Sequence, residues 1–96
     1  MIKNDDNHVL FVEPKHPASE TPVEDELSAK MRNAMLKAKP SQYAYRGFHV
    51  CVCGKCSDNK DYFLSTGQKT NSLAVHYLEY HRAEIPEFEI TKVLNL

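Results

Sequence analysis

The feature that most constrains this chain is a run of six residues that holds all of its cysteines, Cys51-Val52-Cys53-Gly54-Lys55-Cys56. A histidine pair, His76 and His81, follows it. An odd number of thiols crowded into one turn does not fit a disulfide framework, which spreads an even number along the chain. In a reducing compartment, clustered thiols followed by imidazoles more often hold a metal. Thiolate sulfur and imidazole nitrogen suit zinc, whereas calcium and magnesium seek oxygen.

A structural zinc is closed by four ligands. His76-x4-His81 supplies two of them. On an ideal helix, five residues of separation turn the second ring by roughly 140° from the first. The last turn must therefore tighten or unwind for both rings to face one ion. The Ile85-Pro86 stop just beyond makes room for that, because a residue before proline is pushed out of helical geometry.

The thiols leave a choice. Cys53-x2-Cys56 lets one knuckle chelate an ion from a single turn, and Gly54 gives that turn backbone freedom. Cys51-x-Cys53 places two thiols on one face of a strand, and Cys51 with Cys56 is a third pairing. Spacing favours Cys53, Cys56, His76 and His81 around one structural zinc, with Cys51 as the alternative ligand. His49 shares the cysteine face, but a lone strand histidine is more often structural or exposed. His8 and His16 read as surface residues.

With 96 residues, the chain makes one small domain, of a size that often needs a metal staple. Residues 1–20 form an N-terminal strand (His8–Val12) and a proline-rich arm. Residues 21–39 are an amphipathic helix. Thr21 and Glu24 have capping-box spacing around Pro22, and Val23, Leu27, Met31, Ala34, Met35 and Ala38 make an apolar stripe. That stripe reads as core first and as a docking face second. Residues 43–84 are the metal-binding centre. Strands over 43–53 and 61–65 form a hairpin, and a helix follows the cap-rich Thr70-Asn71-Ser72. Residues 85–96 are a C-terminal strand or tail, with a terminal helix as the alternative. The fold class is α+β: a zinc-stabilised β-hairpin and helix with an added N-terminal helix and short flanking strands.

The order strand, knuckle, strand, helix over residues 48–82 resembles the two-cysteine, two-histidine zinc finger. Leu73, three before His76, stands where that family places its core leucine, and the resemblance puts Phe63 in the role of the core aromatic. The chain departs in its spacer. Nineteen residues separate Cys56 from His76, against about 12 in the family. The extra length detaches the resemblance from the family's mode of reading DNA.

The motifs of common enzymes are missing. The helix reads HYLEYH rather than H-E-x-x-H, and there is no deaminase signature, phosphate-binding glycine loop or nucleophile elbow. Five Cys or His side chains competing for four places argue for a closed, non-catalytic site. No run approaches the ~18 apolar residues of a membrane span, and the start lacks a secretory signal. The expectation is a cytoplasmic, non-enzymatic module with no membrane partner and no small-molecule substrate.

The net charge of −1 hides an asymmetry. Residues 1–26 carry seven acids, and 27–42 carry Lys30, Arg32, Lys37 and Lys39 with none. Two partner classes follow. The acidic arms and near-neutral total favour another protein, with the layout of a small bacterial or phage-type regulator by analogy. The alternative is nucleic acid, held by Lys30, Arg32, Lys37, Arg46, Lys55, Lys60 and Lys69 with Tyr43, Tyr45, Phe48 and Tyr62 interleaved. A pI near 6.5 falls short of the ~9 of a dedicated nucleic-acid binder.

Overall fold

A computed structural model describes residues 7–41, 50–57 and 60–96. Among them are three α-helices and a three-stranded antiparallel sheet. The order is α1 (Glu26–Lys37), β1 (Lys39–Pro40), β2 (Asp61–Phe63), β3 (Lys69–Asn71), α2 (Ala74–Tyr80) and α3 (Glu87–Leu94), with a 3-10 turn at Arg82–Glu84 between the last two. The sheet runs β1-β2-β3, with Lys39 opposite Phe63 and Tyr62 opposite Thr70.

Helix α1 starts later than the Thr21 cap predicts. Asp25 is the N-cap, and its carboxylate accepts from the Ser28 N–H at 3.1 Å. The residues before it are held elsewhere. The Ser19 N–H donates to the Tyr80 carbonyl and the Val23 N–H to that of Glu79. The Ser28 hydroxyl donates to the Val23 carbonyl at 2.6 Å. Docking onto α2 therefore wins over the local capping box. The apolar stripe is core: Met31 is fully buried, with Leu27, Ala34, Met35 and Ala38 packed around the same cluster.

The segment Val9–Val12 is buried but is not a strand. All four side chains are inside, with no alternation between a buried and an exposed face. Leu10 achieves this with a left-handed φ of 59°. Its N–H donates to the buried Glu89 carboxylate at 2.8 Å, and its carbonyl accepts from the Asn71 side chain at 2.9 Å. Side chains thus satisfy the Leu10 backbone, while the Val9 N–H donates to the Lys69 carbonyl at 2.8 Å. The sheet contact is a parallel bridge of His8 to Lys69.

The C-terminal segment is a helix, not the strand expected from Phe88 and Ile90. In α3, Glu89 and Val93 are buried, Ile90 packs on the core and Phe88 faces out. Helical spacing brings Glu89 to Lys92 at 2.9 Å while still reaching Leu10. Acidic side chains in the first turn and Lys92 in the last also suit the helix dipole.

The hairpin also differs from expectation. β2 pairs with β3, the segment just before α2. Of the expected first strand, residues 43–49 lie outside the described residues, and Val50 makes an isolated antiparallel bridge with Cys56. Leu73 is buried as expected, but Phe63 is partly exposed, and Tyr77 and Phe11 are buried aromatic side chains.

Candidate metal centre

Two elements meet at the site. The first is the knuckle 50–56. The Gly54 N–H donates to the Cys51 carbonyl and the Cys51 N–H to that of Lys55, both at 2.8 Å. Gly54 adopts a φ of 94°, a region that side-chain-bearing residues rarely enter. The second element is α2 with its C-cap, which carry His76 and His81. That helix stops at Tyr80, and His81 leaves helical geometry with φ −130° and ψ 32°. The two histidine rings then meet edge to face, with centroids 5.1 Å apart. This is the unwinding that a five-residue histidine spacing requires.

The side chains that converge are Cys51, Cys53, His76 and His81, whose ligand atoms all lie within 4.8 Å of one another. Cys51 Sγ is 3.1 Å from His81 Nε2, and Cys53 Sγ is 3.2 Å from His76 Nε2. Zinc bonds of about 2.3 Å to sulfur and 2.0–2.1 Å to nitrogen would put such atoms roughly 3.5 Å apart across a tetrahedron. Small outward adjustments would meet that distance. Two thiols and two imidazole nitrogens, each presenting the same ring atom, can hold a single metal ion.

Cys56, favoured by spacing, is not among the four. Its sulfur is exposed and lies 3.6 Å from the Gly54 carbonyl oxygen. The reason lies in the turn. Cys51 is drawn into the core beside His81, whereas the Val50–Cys56 bridge places Cys56 at the outer end of the knuckle. The structure therefore gathers the alternative cysteine with Cys53 and both predicted histidines. His49 lies outside the described residues.

The surroundings suit metal ligation. Burial, then the neighbouring His81 and Lys55, hold the His76 imidazole below its ordinary pKa, which favours the neutral, ligating form. Burial raises the Cys51 thiol, against an opposing hydrogen bond from the Cys53 backbone. A bound cation would reverse that direction, because a coordinating thiol is deprotonated. Burial beside these two thiols also pushes the Tyr77 hydroxyl up to about 12.

His81 Nδ1 is buried without a hydrogen-bond partner, 3.7 Å from Glu84 Oε2. A carboxylate facing the far nitrogen of a ligating imidazole fixes its tautomer and orientation. Glu84 is in turn held by the N-terminal arm. It accepts from the Lys15 N–H at 2.7 Å, and His16 Nδ1 lies 2.9 Å from it. These contacts draw its carboxyl down to about 2, the Lys15 N–H first and the His16 ring second. Sequence reasoning missed Glu84, although its place three residues after His81 is a readable signal.

Lys30 and Lys37 line one depression on α1 with Leu64 and Leu96. Lys30 donates to the Leu94 carbonyl and Arg32 to Glu79, while Lys69 lies 5.4 Å over the Phe63 ring. Lys37 sits exposed in the last turn of α1, Lys55 is exposed in the knuckle, and Lys60 is exposed just before β2. Arg46 lies outside the described residues, as do Tyr43, Tyr45 and Phe48. Among the described residues no helix is long and apolar enough to cross a membrane.

No protein family, curated protein or solved structure matches this chain. The functional reading therefore rests on the geometry of the site.

Proposed function

We propose that the chain is a non-enzymatic zinc-binding module in which Cys51, Cys53, His76 and His81 hold one structural ion, and that it acts as a small regulator by binding another protein. The observation that carries the metal reading is the convergence of two thiols and two imidazole Nε2 atoms within 4.8 Å. Zinc is the metal of choice for such a donor set. A ligand set that leaves no open place favours a staple over a catalyst, and free thiols in this number suit a reducing cytoplasm. The zinc-finger likeness then lies in ligand type and helix placement. The Cys51-x-Cys53 spacing and the β2–β3 hairpin depart from that family.

The partner reading draws on what the staple presents. Val50 and Val52 flank Cys51 and are 64% and 53% exposed. Apolar side chains held outward by a rigid knuckle suit a protein surface better than a nucleic acid. Lys30, Arg32 and Arg82 are already engaged by Leu94, Glu79 and Asp25, which lowers the charge available to phosphate.

The test begins with metal analysis of protein purified without chelator, followed by circular dichroism before and after zinc removal. The expected result is one zinc per chain and loss of structure when it is stripped. A metal-free protein with an unchanged spectrum would overturn the reading. Binding to random DNA and RNA over a salt series addresses the partner class. Micromolar binding that falls steeply with salt would replace the protein-partner reading with nucleic acid.

A further inference from the structure

The knuckle contains one thiol more than the four-ligand site uses. The three cysteines also differ in setting. Cys51 is buried against the core, whereas Cys53 and Cys56 are both exposed. Cys53 and Cys56 are separated by two residues, the spacing of dithiols that close to a disulfide without unfolding the chain around them. The Cys56 sulfur lies only 3.6 Å from the Gly54 carbonyl, so it folds back over the turn rather than extending away from it.

We propose that Cys53 and Cys56 form a redox-reactive dithiol that hydroperoxides oxidise to a disulfide, taking one thiolate from the metal centre and releasing the ion. The inference rests on the ligand set proposed above and adds a role for the cysteine that set leaves out.

The chemistry balances in two steps. The Cys53 thiolate attacks the peroxide. A sulfur–oxygen bond forms, the oxygen–oxygen bond breaks, and the alkoxide or hydroxide that leaves takes a proton from water. The Cys53 sulfur has then lost two electrons to the peroxide. The Cys56 thiol attacks that sulfenic sulfur. A sulfur–sulfur bond forms, the sulfur–oxygen bond breaks, and the leaving hydroxide departs as water with the Cys56 proton. The net change is two cysteines and one hydroperoxide to one disulfide, an alcohol or water, and water. Cys51, His76 and His81 remain as three ligands, two of them on α2 and its C-cap, and the knuckle loses part of its tie to that helix.

The experiment uses the full chain loaded with zinc and treated with hydrogen peroxide. Zinc release is followed with a chromophoric chelator, and the cysteines are mapped by mass spectrometry. Wild type is expected to release zinc in step with a Cys53–Cys56 bond, and a thiol reductant should restore binding. Cys56→Ser is expected to load zinc to the same ratio. It should release zinc about tenfold more slowly or worse, because no thiol three residues on is present to resolve the sulfenic acid, and it should end in Cys53 over-oxidised to sulfinic acid, which a thiol reductant does not rescue.

Equal and reversible release from Cys56→Ser would overturn the inference, as would a Cys51–Cys53 bond in wild type. Failure of Cys56→Ser to load zinc would make Cys56 a ligand and also sink it. If wild type itself binds no zinc, the metal reading fails instead. If it binds zinc through Cys51, Cys53, His76 and His81 but forms no Cys53–Cys56 bond, only the present inference fails.

Discussion

Replacing each outer cysteine of the knuckle in turn separates the ligand set proposed from the converging side chains from the one that spacing favours. Cys51 is 3% exposed and its sulfur is 3.1 Å from His81 Nε2. Cys56 is exposed, with one sulfur contact to a carbonyl of its own turn. A structural zinc contributes about 10–16 kcal/mol in small fingers at neutral pH, against a net domain stability of about 5–15 kcal/mol. A Cys51→Ser change exchanges a soft thiolate for a hydroxyl in a buried position and weakens that contribution directly. The expected outcome is a sub-stoichiometric zinc content and loss of the cooperative thermal transition. Cys56→Ser alters a surface group, where changes stay within about 0.5 kcal/mol. Its zinc content and melting curve should match wild type. Elemental analysis and circular dichroism on the same preparations read both quantities. The converse pattern, with Cys56→Ser losing zinc while Cys51→Ser keeps it, would refute the assignment and restore the Cys53/Cys56 pair.

Other expectations concern the frame around the site. Asp25 caps α1 and receives two bonds from Arg82, at 2.7 and 2.8 Å, so Asp25→Ala should cost about 1–2 kcal/mol in urea unfolding near neutral pH. The Arg82 guanidinium, ahead of the Ser28 contacts, holds this carboxyl well below its ordinary value of 3.8. A depressed native pKa means the contribution is complete above the ordinary value and is lost as pH falls below it. The gap between wild type and variant should therefore stay constant from pH 7 to 5 and narrow only below about 4; narrowing at higher pH would contradict the pairing. Glu89→Leu would leave the part-buried Lys92 ammonium without its carboxylate and Leu10 without its acceptor, a loss of about 3–5 kcal/mol. An unchanged denaturant midpoint would show that this pair does not anchor the N-terminal segment. Met31→Ala in the core should cost about 2–5 kcal/mol, while Leu36→Ala, at a position 80% exposed, should cost little. Equal effects would place the α1 stripe at an interface rather than in the core.

The amino-acid sequence by itself determined the chemistry of the site. Soft donors clustered at 51–56 and a histidine pair at 76 and 81 point to a metal whatever the fold. Their spacing also required the helix to unwind at its second histidine, which happens at His81. The apolar stripe of α1 was legible because it depends on local periodicity, whereas the helix expected to run to about Glu84 before Pro86 ends earlier, at Tyr80, with a 3-10 turn over Arg82–Glu84.

What the sequence left open was decided by long-range packing. Cys51 and Cys56 can each pair with Cys53, and spacing favours Cys56. Burial of Cys51 beside His81, thirty residues away, separates them. Thr21 is a good cap in isolation, but the chain before Asp25 is bound to α2 and Asp25 to Arg82. Alternation at Phe88 and Ile90 suggested a strand, yet a helix brings the Glu89 carboxylate to Leu10 and Lys92 together. The apolar run at 9–12 bends through a left-handed Leu10 because buried side chains elsewhere satisfy its backbone. In each case two local solutions are close in free energy. The tertiary contact chooses between them, because a buried polar group left without a partner costs more than the local preference supplies.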